Sequence, residues 1–175
     1  QHLISKSNLR ESQWIDQAPQ ALAEGEVRLS LDAFALTANN VTYAAFGGPP
    51  MHYWNFFPSG DDAQGRVPVW GFATVAESRH PEFSAGERVY GYLPMSSHLV
   101  VEPGKVAAGT FSDMAAHRQP MNPVYNNYRR LSADPAHNPD LEEHRALFEP
   151  LFMTSFLIEA FMRRHDYHGA QSLIM

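Results

Sequence analysis

The chain has 175 residues, a net charge of −6 and no cysteine. That length supports one domain with part of a second and a core that needs no disulfide. The acidic balance, with a pI near 5.8, argues against a nucleic-acid footprint, and the lack of cysteine removes thiolate chemistry and Cys-ligated zinc. Nothing at the start has the charged-then-apolar order of a signal peptide. The longest strongly apolar stretch, Leu151–Ile158, is far short of the roughly 20 residues of a membrane span. The expectation is a cytoplasmic protein with no membrane and no nucleic-acid partner. Both ends, Gln1 and the apolar Leu173–Met175, read as cut.

A short strand is predicted at Leu3–Ser5. The clearest strand is Glu26–Leu36, where Val27, Leu29, Leu31 and Ala33 alternate with Arg28, Ser30 and Asp32, the period of a half-buried strand. Thr37 to Tyr43 then reads as a polar patch on the end of that strand, and Gly47-Gly48-Pro49-Pro50 breaks regular structure. Met51–Pro58 carries Tyr53, Trp54, Phe56 and Phe57. Two readings stand for it: a satellite core under a loop, or the wall of a pocket for a flat apolar ligand.

Arg66–Pro103 predicts three strands, Val67–Ala76, Arg88–Leu93 and His98–Val101, separated by turns rich in Pro, Gly and Ser. Phe111–Leu131 reads as an ordered surface loop, and Ser132–Asp140, with two prolines, as a linker. A helix is predicted over Leu141–His165, with Asp140 as N-cap and acidic and basic residues at the ends that suit the dipole. Pro150 is expected to split it. Its apolar residues, from Leu151 to Met162, fall almost all round the helix, so it needs cover from more than one direction. Ala170–Met175 reads as the start of a buried strand.

The order of GEVRLSLDAFALTANNVTYAAFG, VPVWGFATVAES, SAGERVYGY and SSHLVVEP resembles the catalytic half of medium-chain dehydrogenases/reductases. That half is a GroES-like, partly open β-barrel, so the resemblance implies a mainly β, α+β fold. More narrowly, FALTANNVTYA, PVWGFA, GYLPMSSHLVV and HR…VYNNY are similar to a bacterial branch built on a domain of unknown function of the DUF2855 type. By this resemblance, residues 1–131 form the barrel domain, 132–140 a linker, and 141–175 a connecting helix and first strand toward a Rossmann domain missing from the chain. No G-x-G-x-x-G is present, so NADP or NAD would be bound mainly by that other domain.

The zinc enzymes of that superfamily ligate metal through a cysteine and a Gly-His-Glu motif. Here Thr37 and Gly71-Phe72-Ala73 fall at those positions, and Phe72 and Ala73 cannot ligate. No metal is expected. The zinc-free relatives carry an Asn-x-x-Asp-like segment, matched here by Thr37-Ala38-Asn39-Asn40. Asn40 can orient a carbonyl or a nicotinamide amide, and Tyr43 is the candidate proton donor to an enolate, against the plainer reading of a packed tyrosine. Tyr53, Trp54, Trp70, Phe72, Tyr92 and His98 are the candidate substrate-binding residues. The resemblance implies the substrate half of a zinc-independent, NAD(P)H-dependent reductase of a small apolar carbonyl or quinone-like compound, with homodimers common among relatives. The alternative is a non-catalytic ligand-binding or interaction protein that keeps the barrel.

Overall fold

The computed structural model describes residues 1–172 and is a mixed α+β structure dominated by β-sheet. Strands β1 (His2–Ser5), β2 (Ser12–Trp14), β3 (Val27–Ala35), β4 (Gln64–Gly65) and β5 (Pro68–Ser78) are followed by β6 (Arg88–Pro94) and β7 (His98–Val101). The last three strands are β8 (Pro103–Gly104), β9 (Thr110–Asp113) and β10 (Asn127–Arg130). Helices α1 (Ala38–Ala45) and α2 (Glu142–Arg164) complete the regular elements. A small sheet has the order β2-β1-β4, and the main sheet the order β7-β3-β5-β6-β10-β9-β8, with antiparallel pairing throughout.

The two outer strands of the main sheet, β7 and β8, are consecutive in the chain and joined only through Glu102. Its backbone amide donates to Asp113 Oδ1 at 3.1 Å, and its carbonyl accepts from Met114 N at 2.8 Å. The sheet is therefore a nearly closed barrel. Its interior holds Val27 and Leu29 of β3, Val69, Ala73 and Val75 of β5, Val89 and Leu93 of β6, Val101, Phe111 and Tyr128. Alternation along each strand sends these side chains to one face. Tyr128 stacks on Phe111 with ring centroids 5.0 Å apart. It fits because position 91 is glycine: a Cβ there would lie 2.5 Å from the Tyr128 ring.

Several expectations are corrected. The alternation of β3 does not run to Ala33, because a register shift between Leu31 and Ala33 changes the phase, leaving Ala33 exposed and Ala35 buried. Arg28, on the nominally wet face, is buried. The segment from Ala38 is a helix rather than a strand end: Thr37 is its N-cap and forms a capping box with Asn40. This is the Thr-x-x-amide relative of a known sequence signature. The stretch from Phe111 to Leu131 is no surface loop: it contains most of β9 and all of β10, and between them the fully buried Arg118.

Pro150 does not split α2, which runs unbroken for 23 residues, and its N-cap is Leu141 rather than Asp140. The proline withholds one amide, the partner of the Ala146 carbonyl, and strong helix formers on both sides (Ala146, Leu147, Leu151, Met153) carry the helix through. The strand expected at Ala170–Met175 is absent at residues 170–172, which are exposed and irregular; its apolar end lies outside the described residues.

Only the first turns of α2 are docked on the barrel. Arg88 grips Glu142 through two bonds of 2.6 and 2.9 Å. Arg145 bonds Asp134 at 2.7 Å and Glu149 at 2.5 Å, with its guanidinium 4.7 Å above the Tyr90 ring. Ala146 is the buried residue of the helix, packed with Ala35, Phe72, Tyr90 and Leu131. Beyond it Leu151, Phe152, Phe156, Leu157, Ile158 and Phe161 are exposed by 44–65%. No described helix is long and apolar enough to cross a membrane.

Candidate functional site

The end of β3, the start of α1, the start of β5 and the middle of α2 meet at a cleft. Ala35, Thr37, Asn39, Asn40, Tyr43 and Trp70 form one side, and Ala146, Leu147, Pro150 and Leu151 the other. Its enclosed volume is about 10 Å³, room for one water at most, so in this conformation the cleft is closed.

Four of the residues singled out from the sequence thus come together: Thr37, Asn40, Tyr43 and Trp70. Thr37 and Asn40 are occupied with each other. Asn40 Oδ1 accepts from Thr37 N at 2.6 Å, and its amide nitrogen donates to the Pro68 carbonyl at 2.8 Å. Thr37 Oγ1 accepts from Asn39 N at 3.3 Å. Asn40 is therefore a clamp between α1 and β5, with both ends of its amide in use.

Tyr43 belongs to an aromatic cluster. Its ring lies 4.8 Å from Tyr53 and 5.6 Å, edge-on, from Tyr92. Trp70 is 5.1 Å from Tyr92 and 5.9 Å from Tyr90. Burial pushes the Tyr43 phenol above its ordinary value, opposed by the Trp70 indole N–H and reinforced by Tyr53. That indole N–H falls short of a well-formed hydrogen bond: Trp70 Nε1 and the hydroxyls of Tyr90 and Tyr92 are buried without partners among the described residues. Buried polar groups are ordinarily paired, so three orphans around one cluster mark it out. Burial also pushes Tyr90 and Tyr92 well above the usual tyrosine range, so all three phenols stay protonated at neutral pH.

Phe72 lies under α2, packed on Ala35 and Tyr90. Trp54 is apart from the cleft, in a cluster with Ala44 and Val67. It is sandwiched between Gly47 and Gly65, where an added Cβ would fall 2.0 and 2.4 Å from its ring. His98 faces a different cavity, lined also by Arg28 and Arg66. The Met51–Pro58 run packs as core: Tyr53 joins Phe56, Phe57 and Tyr92 in the aromatic cluster, and Trp54 belongs to a satellite cluster.

Tyr90 and Tyr125 are cluster members the sequence reading did not single out, and Tyr125 comes from the farthest segment. It packs 4.7 Å from Tyr92, 5.1 Å from Phe56 and 6.0 Å from Trp70. Arg118 delivers it: the guanidinium donates to the Tyr125 carbonyl at 2.6 Å and to Asn126 Oδ1 at 2.8 Å, and lies over the rings of Phe57 and Phe56. Asp113 stands 3.6 Å from it. The signal was present in HR…VYNNY, but an arginine in a Pro-rich stretch has no periodicity to declare it buried.

A family model described as "Protein of unknown function (DUF2855)" matches residues 34–175. No curated protein matches the chain.

Proposed function

The chain belongs to the DUF2855 family of proteins of unknown function, and from that premise we propose that it is the substrate-binding half of a zinc-independent, NAD(P)H-dependent oxidoreductase acting on a small apolar carbonyl or quinone in the cytoplasm. The observation that carries this reading is the pair of buried, unpartnered donors Trp70 Nε1 and Tyr92 Oη beside Tyr43. A carbonyl oxygen entering the cluster would satisfy them, and the flat rings suit a planar apolar body. The barrel, read as GroES-like, supplies shape and protons; the nicotinamide supplies hydride. Tyr43 is the proposed proton donor, with a protonated phenol at the mouth of the cluster. Asn40 holds the cleft's geometry through Pro68 and Thr37.

The resemblance implies a Rossmann domain as partner, and the bare apolar faces of α2 suit it: leaving such side chains wet costs about 1.5–3 kcal/mol each. Closing that domain over α2 would bring cofactor to the cleft between α2 and Tyr43. A homodimer is the assembly implied by the same resemblance.

The full use of Asn40 within the fold favours a second reading, a binding protein that keeps the barrel without chemistry. One experiment separates them. The protein as encoded in full is titrated with NADPH by cofactor fluorescence, then assayed with a benzoquinone acceptor. Binding and cofactor oxidation are expected; no binding at high-micromolar NADPH would overturn the reductase reading and leave the second.

A further inference from the structure

On another part of the surface, the N-terminal segment 15–20, β3, the loop after the aromatic run and β7 line an open cavity of about 610 Å³. That volume is in the range of small-molecule sites. Its apolar lining comes from Phe57, Pro58, Leu99 and Val100; its charged and titratable lining comes from Arg28, Arg66, His98, His117 and Asp16. The one carboxylate in the set, Asp16, sits on the exposed N-terminal segment.

Two arginines here have unused donors. Arg28 is 8% exposed. Its Nη2 donates to the Gln20 carbonyl and its Nε to Glu77 at 3.3 Å, while Nη1 is buried with no partner among the described residues. Arg66 is half-buried, its Nε likewise has no partner, and burial lowers its pKa with no carboxylate to offset the loss of water. Arg28 has Glu77 as its ion-pair partner, which leaves Arg66 as the uncompensated guanidinium; burying one is costly, and a structure normally answers it with an anion or a full set of acceptors. Burial, then the positive charges of Arg28, the amino group of Gln1 and Arg66, hold His98 below its ordinary pKa, and the two arginines and His98 line the same cavity. An arginine fork matches the two oxygens of a carboxylate or phosphate.

We propose that this cavity is a binding site for a small oxyanion, a carboxylate or phosphate compound with an apolar body, held by Arg28 and Arg66 and seated on Phe57 and Leu99. The site is separate from the Tyr43 cleft and independent of the reductase reading. Arg66 spends no hydrogen bond on the fold among the described residues, so it can be changed without loosening β3. Arg28 ties β3 to the N-terminal segment and to β5.

The test follows the His98 imidazole by proton NMR at constant ionic strength, with inorganic phosphate and, separately, benzoate as probes. Saturable shifts are expected, and Arg66→Gln should weaken binding at least tenfold while leaving the thermal midpoint unchanged. Tighter binding of benzoate than phosphate identifies a carboxylate ligand; the reverse order identifies a phosphate one. Arg66→Lys, which keeps the charge and loses the fork, should recover only part of the affinity. No saturable shift with either probe up to tens of millimolar, or equal affinity in Arg66→Gln and the parent, would overturn the proposal.

Discussion

Arg118 shows how much one residue can organise. It is fully buried, and its bonds to Asn126 and the Tyr125 carbonyl hold the stretch between β9 and β10 against Phe56 and Phe57. Removing one partner of a buried ion pair strands the other charge, here Asp113, at a typical cost of about 3–5 kcal/mol. Arg118→Met should therefore lower the denaturant midpoint sharply and release Tyr125 from the cluster, both measurable by urea titration and tyrosine fluorescence. Tyr43→Phe is a different kind of change. It removes one hydroxyl at the cleft without a volume change, so the fold should keep its stability. If Tyr43 donates the proton, turnover should fall more than tenfold; unchanged turnover would remove it from that role. At Gly65 the constraint is steric. An added methyl meets the Trp54 ring, and Gly65→Ala should cost about 1–3 kcal/mol, as overpacking does, seen as a lower thermal midpoint.

Among the elements, four strands of the main sheet, β3, β5, β6 and β7, were legible, and α1 and the strands β8, β9 and β10 were not. The runs at 67–76, 88–93 and 98–101 correspond to β5, β6 and β7 within two residues at each end, because alternation and β-branched residues report directly on a pleated surface. The helix α1 was hidden by its composition: Asn, Thr and Tyr are weak helix formers, and its capping box uses Asn40 in place of the usual Glu or Gln. β10, with two arginines and an asparagine, has no apolar alternation, and only its pairing with Tyr90 and Phe111 defines it. The all-round apolarity of α2 was plain from sequence, and the structure leaves those side chains bare. Phe152→Ser with Ile158→Ser should therefore change stability by under about 0.5 kcal/mol, as exposed substitutions do, while lowering the binding of a hydrophobic dye. A large loss of stability instead would show that these residues are packed.

For the whole molecule, the candidate site is a matter of convergence that no single stretch reveals. Tyr43, Trp70, Tyr92 and Tyr125 lie on four different segments, and the cavity near His98 is built from positions as far apart as Asp16 and His117. Shared tyrosine burial gives the fold a common response to alkali. Burial pushes Tyr128 up to about 12, and Tyr90, Tyr92 and Tyr125 also move up. A phenol whose folded pKa is raised contributes stability below its unfolded value, about 10, and that contribution is lost as pH rises through the folded value. The protein should be indifferent to pH up to about 10 on this account and lose stability steeply above it. Ultraviolet titration should show the buried phenols ionising together with loss of circular dichroism.

The uneven attachment of α2 also sets a gradient of opening free energies along one helix. Its first two turns are fixed by Arg88 and Arg145, and among the described residues its outer turns are held by their own backbone bonds and by local side-chain contacts, in which Glu159 pairs with Arg163 and accepts from the Tyr167 hydroxyl at 3.0 Å, each worth a few tenths of a kcal/mol. Amide hydrogens near Ala146 should then exchange at rates approaching those of β5, and those near Ile158 orders of magnitude faster, by fraying rather than by global unfolding. Any body that later covers the outer turns would register as protection spreading outward from Pro150, a footprint readable without knowing what that body is.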